Sequence, residues 1–235
     1  MSNLPRLKAP IQKTAINPDS RRARSEATKA ALMRAAEQLI AEQGVENVSI
    51  RHIIAQAQQK NESALQYHFK NLTGLLQAIH TERAEHIQAR RAELLAETLA
   101  NSPHPNLRQL CTLMVEPAFQ LARESTEFRD YIKAFGHQLA LSDSSPLRTV
   151  HRKESAGHLG ALLVKELTHL DKSDFGARIE AAIRLSAASM HHQARQKSGF
   201  RGKAADLFLH NLIDALFGLL SAPVSTQTRQ LKAKR

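Results

Sequence analysis

The chain of 235 residues contains no tryptophan, one cysteine, two tyrosines and nine glycines. Each shortage excludes something. A single cysteine, Cys111, forms neither an intramolecular disulfide nor a cysteine-cluster metal site, which fits a reducing compartment. Glycine is too sparse for a nucleotide-cradling loop, and neither an HExxH nor a Ser–His–Asp pattern is present. An enzyme is therefore not expected, and no cofactor. No apolar run approaches the ~20 residues of a bilayer-spanning helix, and the start MSNLPRLKAPIQK lacks the apolar stretch of a signal peptide. Aromatic and β-branched runs are scarce too. What these absences leave is a soluble, cytoplasmic, membrane-free chain made of helices.

What is abundant is leucine, alanine and positive charge. The net charge of +11 and the isoelectric point near 10.2 call for an anionic partner, most often nucleic acid. The charge is uneven. Residues 1–24 hold six basic residues (Arg6, Lys8, Lys13, Arg21, Arg22 and Arg24) against Asp19 alone, whereas residues 25–70 hold five basic and five acidic ones. The twelve histidines do not assemble a metal set. Adjacent His191 and His192 point in different directions on a helix, and His151 and His158 lie two turns apart with no carboxylate in register. No metal is expected.

Periodicity divides the chain. Residues 1–24 are rich in Pro and basic residues without a repeat, and read as a flexible arm. From Ser25 an apolar stripe of Leu32, Ala35, Ala36, Leu39 and Ile40 marks a helix that Gly44 closes. Ser49 caps a second helix with Ile50, Ile53, Ile54 and Ala57 inward, and Asn61 caps a third whose Leu65 and Phe69 face inward. A long helix follows from about Thr73 toward Leu99, broken by Asn101-Ser-Pro-His-Pro. Further helices are expected near 106–123, 125–141, 147–168, 176–196 and 203–220, with Pro117 kinking or restarting the first of these. The fold class is all-α, with about nine helices: a helix-turn-helix unit at 25–72, a helical bundle at 73–222 and a basic, solvated tail at 223–235. The last long helix, KAADLFLHNLIDALFGLL, is apolar almost all round, so it needs cover on several sides. A second copy of the chain, paired through residues 176–220, supplies that cover as a four-helix interface.

Residues 49–76 carry the chemistry. A helix that reads the major groove needs a capped start, an inward apolar pair and polar groups elsewhere, and Asn61 to Phe69 has all three. Lys60, Asn61, Glu62, Ser63, Gln66, Tyr67 and His68 lie on or near its exposed face. Gln bonds to adenine and Glu accepts from cytosine, so Gln66 and Glu62 have readout chemistry. Ser49 with Arg51 suits a phosphate clamp at a helix start, and His68 with Lys70 suits backbone oxygens at the other end. Taken singly, each of these is also ordinary helix surface.

Residues 25–80 resemble the DNA-binding domain of the TetR family of repressors. The resemblance rests on Gln43-Gly44, Ile53-Ile54-Ala55, Tyr67-His68-Phe69 and Leu75-Leu76. It implies a homodimeric regulator that binds double-stranded operator DNA and is released by a small-molecule effector. It places base readers on Glu62, Ser63, Gln66 and Tyr67, with Asn61 as cap, and phosphate contacts on Ser49, Arg51, His68 and Lys70. Arg21, Arg22 and Arg24 are expected in a flanking minor groove, as N-terminal arms are elsewhere. The chain departs from the family in three places: Gln58-Gln59 replace a turn Ala-Gly, Leu72 replaces a trailing lysine, and Gln66 stands where a tyrosine is usual, with Tyr67 one position later. By the same resemblance Cys111, Met114, Phe119, Phe128, Tyr131, Phe135 and His137 are expected to line an effector pocket, although each also fits plain core packing.

Overall fold

The structure, a computed structural model, describes residues 18–141 and 154–234. Among them are ten α-helices and a short 3-10 turn, and no strand. Helix α1 spans Pro18–Gln43, the 3-10 turn Val45–Asn47, α2 Ile50–Gln56, α3 Ser63–Phe69 and α4 Leu72–Asn101. Helix α5 spans Leu107–Glu124, α6 Thr126–Leu141, α7 Glu154–Glu166, α8 Lys172–Arg195, α9 Gly202–Ser221 and α10 Thr226–Ala233. The helix expected over 147–168 is α7, and positions 147–153 lie outside the described residues.

Both ends of the chain are more helical than their composition suggests. Helix α1 starts at Pro18, not after Ser25. Proline at the first helical position has its φ preset and lacks an N–H that would be unpaired there anyway, and Asp19 lies in the positively polarised first turn. At the other end, the expected solvated tail forms α10. The Ser225 side chain caps it through the N–H of Thr228, and Lys232 bridges to Asp171 at 2.7 Å and Asp174 at 2.6 Å. Asp171 is itself the N-cap of α8, so one carboxylate starts one helix and anchors another.

Two apolar cores share α4. Its first turns put Leu75 and Ile79 into a cluster with Leu32, Leu39, Ile53, Leu65 and Phe69. Its later turns put Leu95, with Ile87 and Leu94, against Leu110, Phe119, Phe128 and Leu216. The first cluster also takes Phe135 from α6, a residue far away in sequence. Between the cores, Arg83 of α4 donates to Glu37 of α1 through Nε at 2.7 Å and Nη2 at 2.6 Å, with both residues buried. Burial lifts the Glu37 carboxyl above the usual carboxylate range, and the Arg83 guanidinium pulls it back down. His80 lies beside this pair, its ring centroid 4.6 Å from that of Phe135, with Tyr131 Oη 3.4 Å from its Nδ1. Burial alone lowers its basicity.

Helix α5 runs unbroken through Pro117. Proline supplies no N–H, so the carbonyl of Leu113 one turn earlier loses its intrahelical donor. Arg91 of α4 fills that gap, donating from Nε to Leu113 O at 3.0 Å. The guanidinium has no carboxylate partner among the described residues, and burial pushes its pKa down to about 10. Other arginines close helix ends in the same manner. Arg129 donates to the carbonyls of Ala194 and Gln196 at the end of α8, Arg184 to Ala140 in α6, and Arg178 to Leu219 and Ala222 at the end of α9. Helix C-termini leave carbonyls unpaired and partly negative, and a guanidinium answers both needs.

Helix α9, whose most apolar 18-residue stretch has a mean hydropathy of 1.3, is long and apolar enough to cross a bilayer, contrary to the residue-by-residue reading of the sequence. Asp206, His210, Asn211 and Asp214 interrupt the apolar run, so it does not show as one unbroken stretch. In the fold, Leu209, Leu212, Leu216 and Leu220 face the core, while Asp206 and Asp214 pair with Arg123 and Arg108.

The turn between α2 and α3 explains the missing glycine. The N–H of Gln59 bonds to Ile54 O at 2.9 Å and that of Gln58 to Ala55 O at 3.1 Å, which is a Schellman ending with Gln58 at the left-handed position, φ 54°. The strained residue is thus Gln58 and not Gln59. After α3, Lys70 has φ 68° and ψ −50°, and the N–H of Asn71 reaches Phe69 O at 2.8 Å, a tight γ-turn. Asn71 then caps α4 through the N–H of Gly74 at 2.8 Å. A Cβ at Gly74 would lie 2.0 Å from Phe69 O, so only glycine lets α4 start this close to α3.

Three stability measurements follow. Glu37→Gln strands the buried Arg83 charge and is expected to cost about 3–5 kcal/mol in chemical denaturation, whereas Glu37→Met with Arg83→Met recovers most of the loss. Arg91→Met costs more in the parent than in a Pro117→Ala background, where Leu113 O regains its helical donor. A coupling of about 1 kcal/mol in the double-mutant cycle is expected, and none if Arg91 merely packs there. Gln58→Gly removes the left-handed strain and raises stability by roughly 0.5–1 kcal/mol, which is about 2–4 °C of melting temperature per kcal/mol.

Candidate nucleic-acid interface

The candidate surface is built from the outward sides of α2 and α3. Val48, Ile53, Ile54, Leu65 and Phe69 are buried and hold the two helices to α1 and α4. With those positions inward, the 3.6-residue period turns Glu62, Ser63, Gln66 and Tyr67 outward, two residues per turn on one side. All four are exposed, as are Lys60, Asn61 and Lys70, while His68 is half-buried. Tyr67 is 81% exposed, the largest exposure among the large hydrophobic side chains. Its ring meets that of His68 edge-on at 5.0 Å.

Asn61 serves as the cap that its position suggests. Its Oδ1 accepts from the N–H of Ser63 at 3.1 Å and from the Ser63 hydroxyl. Helix α3 is assigned from Ser63, but Glu62 already has helical dihedrals and its carbonyl accepts from Gln66, so Asn61 caps the turn that begins at Glu62. Ser49 caps α2, its Oγ accepting from the N–H of His52 at 3.3 Å. That bond leaves the hydroxyl hydrogen free to donate outward. Arg51 and His52 are exposed in the same turn.

His52 was not among the candidate residues of the sequence. The signal for it was its place three residues after the Ser49 cap, on the same side of α2. Gly74 was also missed. It touches no solvent chemistry, but it sets how near α4 stands to the carbonyl end of α3. The mark in the sequence is a glycine in the first turn of a helix, where it is otherwise unfavourable.

Two groups of expected residues are placed differently from the sequence reading. Arg21, Arg22 and Arg24 are exposed on the first turns of α1 rather than on an extended arm. A minor groove about 6 Å wide admits an arginine side chain but not the helix that carries it, so any insertion by these three is by their guanidinium ends alone. Arg6, Lys8 and Lys13 lie outside the described residues. Six of the seven expected pocket residues pack in or against the apolar cores. Cys111, Phe119, Phe128 and Phe135 are buried in packed cores, with Phe135 in a different core from the other three. Burial pushes the Cys111 thiol up to about 12 and the Tyr131 hydroxyl to about 12. Phe119 packs edge-on to Phe200 at 5.4 Å, and Tyr131 contacts Phe128, Phe135 and His80. Met114 is half-buried against the second core, and only exposed His137 borders a cleft described below. Aromatic residues at helical spacing here report core packing.

Residues 32–79 match the sequence model of bacterial regulatory proteins of the tetR family. No curated protein sequence matches the chain. Among solved structures, SCO7518 from Streptomyces coelicolor A3(2), described as a transcriptional regulator, is 17% identical, over 83% of this chain and 99% of that one, with a TM-score of 0.42. GusR from Salmonella enterica is 19% identical, over 83% of this chain and 96% of that one, with a TM-score of 0.40. Likeness at that level carries no argument about the body of the protein. The family match covers the whole helix-turn-helix, and over that segment, from the middle of α1 to the first turns of α4, the chain is similar to tetR-family regulators.

Proposed function

We propose that the chain is a cytoplasmic, sequence-specific DNA-binding regulator of transcription that acts as a homodimer, with a small-molecule effector relieving repression. One observation supports this reading above all: α3 presents Glu62, Ser63, Gln66 and Tyr67 together to solvent behind an Asn61 cap, on a segment that matches the tetR family. In this reading Gln66, Glu62, Ser63 and Tyr67 contact base edges in a major groove. Ser49, Arg51, His68 and Lys70 contact phosphates at its rims, joined by Lys60 and His52. Arg21, Arg22 and Arg24 reach the backbone from the side of α1. Phosphate contacts supply grip and register, and base contacts supply the sequence preference.

Dimerisation is proposed through α8 and α9. The outer side of α9 leaves Leu207 63% and Phe217 39% exposed, and α8 exposes the small Ala181 and Ala188. Small residues permit close approach of helices, and apolar ones gain from it. A two-fold axis there sets two copies of α3 against successive major grooves. Repression ends only if the effector binds one separation of the two α3 helices better than the other.

The test begins with selection of bound sites from random DNA, followed by anisotropy titrations of the winning sequence across a salt series. Arg22→Ala and Arg51→Ala should weaken all sequences alike and each reduce the slope of log K against log salt by about 1. Gln66→Ala should lose about 1–3 kcal/mol of discrimination at one base position and leave the slope unchanged. Enrichment of no sequence would defeat the reading in favour of a non-specific binder, and equal behaviour of the two kinds of variant would defeat the division of roles.

A further inference from the structure

A cleft of about 360 Å³ opens where the end of α1 and the 3-10 turn meet α6 and α8. It borders the first core, which shares Ile40 with its lining. Ile40, Ala41, Val45 and Ala134 form its apolar floor. Gly136 brings α6 and α8 together beside it, since a Cβ there would lie 2.9 Å from the Cβ of His191. Its two walls have opposite charge. On one side stand Glu42 and Glu46, next to the C-terminal end of α1, whose last turn has no basic residue to offset its negative polarity. On the other side stand Lys133 of α6 and Arg195 of α8, with His137 and His191 between them, their rings 5.8 Å apart.

Among the described residues, Glu42, Glu46, Lys133 and Arg195 form no ion pair, although Lys133 stands within the electrostatic reach of Asp130 and the arginines nearby are bonded to carboxylates or carbonyls. The volume falls in the range of small-molecule sites. A ligand that satisfies both walls must carry a cation at one end and an anion at the other.

We propose that this cleft binds a small zwitterion of the amino-acid class. Its ammonium group lies against Glu42, Glu46 and the end of α1, and its carboxylate lies against Lys133 and Arg195. The apolar floor takes a short side chain. The occupant then ties α1, the first helix of the DNA-binding unit, to α6 and α8 of the body. A role for it as the effector rests on the regulator reading above; the binding itself does not.

The experiment is calorimetric titration of the full chain with each standard L-amino acid, followed by the N-acetyl and methyl-ester derivatives of any that bind. At least one amino acid should bind one-to-one, and removal of either charge by derivatisation should weaken it by about tenfold or more. Lys133→Met with Arg195→Met should weaken the parent amino acid similarly but leave its methyl ester unaffected, and Glu42→Gln with Glu46→Gln should do the converse for the N-acetyl form. These side chains are solvent-facing, so melting temperatures should hold and show that the variants fold. No saturable binding by any amino acid, or derivatives that bind as well as the parent, would overturn the proposal. Anisotropy with the selected DNA separates the two readings. DNA binding without amino-acid binding defeats the cleft alone, and amino-acid binding without any DNA binding defeats the regulator alone.

Discussion

The buried pair of Glu37 and Arg83 is the constraint around which the rest is arranged. It joins α1 to α4 where the two apolar cores meet, with two hydrogen bonds of 2.7 and 2.6 Å. A charge so far from water is costly by itself and tolerable only when its partner is held in place. The pair therefore fixes the register of α1 on α4, and through it the seat of α2 and α3. The Arg83 guanidinium also stands 5.8 Å from the ring centre of Phe128, and Phe128 leads through Tyr131 to Phe135 and His80. A line of rings thus runs from the body of the protein into the core beneath α3.

That line makes α6 the mechanical link. Phe128 at its start belongs to the second core and Phe135, two turns on, to the first. Any displacement of α6 relative to α8 moves Phe135 and with it the packing under α1. The proposed cleft sits on this same junction, with α1, α6 and α8 as its walls. A ligand there needs no pathway through the core to act on α1, since it would touch α1 directly.

The arginines divide into four uses. Arg83 is paired in the interior. Arg91, Arg129, Arg178 and Arg184 bond to carbonyls that helix ends or a proline leave unpaired. Arg34, Arg90, Arg108 and Arg123 pair with carboxylates at the surface. Arg21, Arg22, Arg24 and Arg51 are exposed. The high positive charge of the chain is thus not all available to a polyanion. A planar guanidinium with several donors suits each of these jobs, and lysine would do the second poorly.

The helix-turn-helix was legible because its signals are local. Ser49 and Asn61 cap within three residues, Leu65 and Phe69 face inward by a four-residue spacing, and Gly44 ends α1 with its own left-handed dihedral, φ 82°. What the residues near Pro18 and Thr226 do was not legible, because basic composition looks the same in a helix as in a free tail. In the latter case docking of Lys232 on Asp171, from a helix distant in sequence, accompanies the order. The aromatic residues of α5 and α6 show the same limit. Periodicity marked them as one face, but only the approach of α1, α4, α8 and α9 distinguished a packed core from a pocket. By itself the sequence determined the helix-turn-helix, its caps Ser49 and Asn61 and the polar face of α3, since those depend on neighbours within a turn. The tertiary structure alone decided that Gln58 carries the strain, that Arg91 answers Pro117, and that an opposed pair of charged walls faces one cleft. Each of these depends on groups brought together from separate helices, or on a backbone angle that packing imposes.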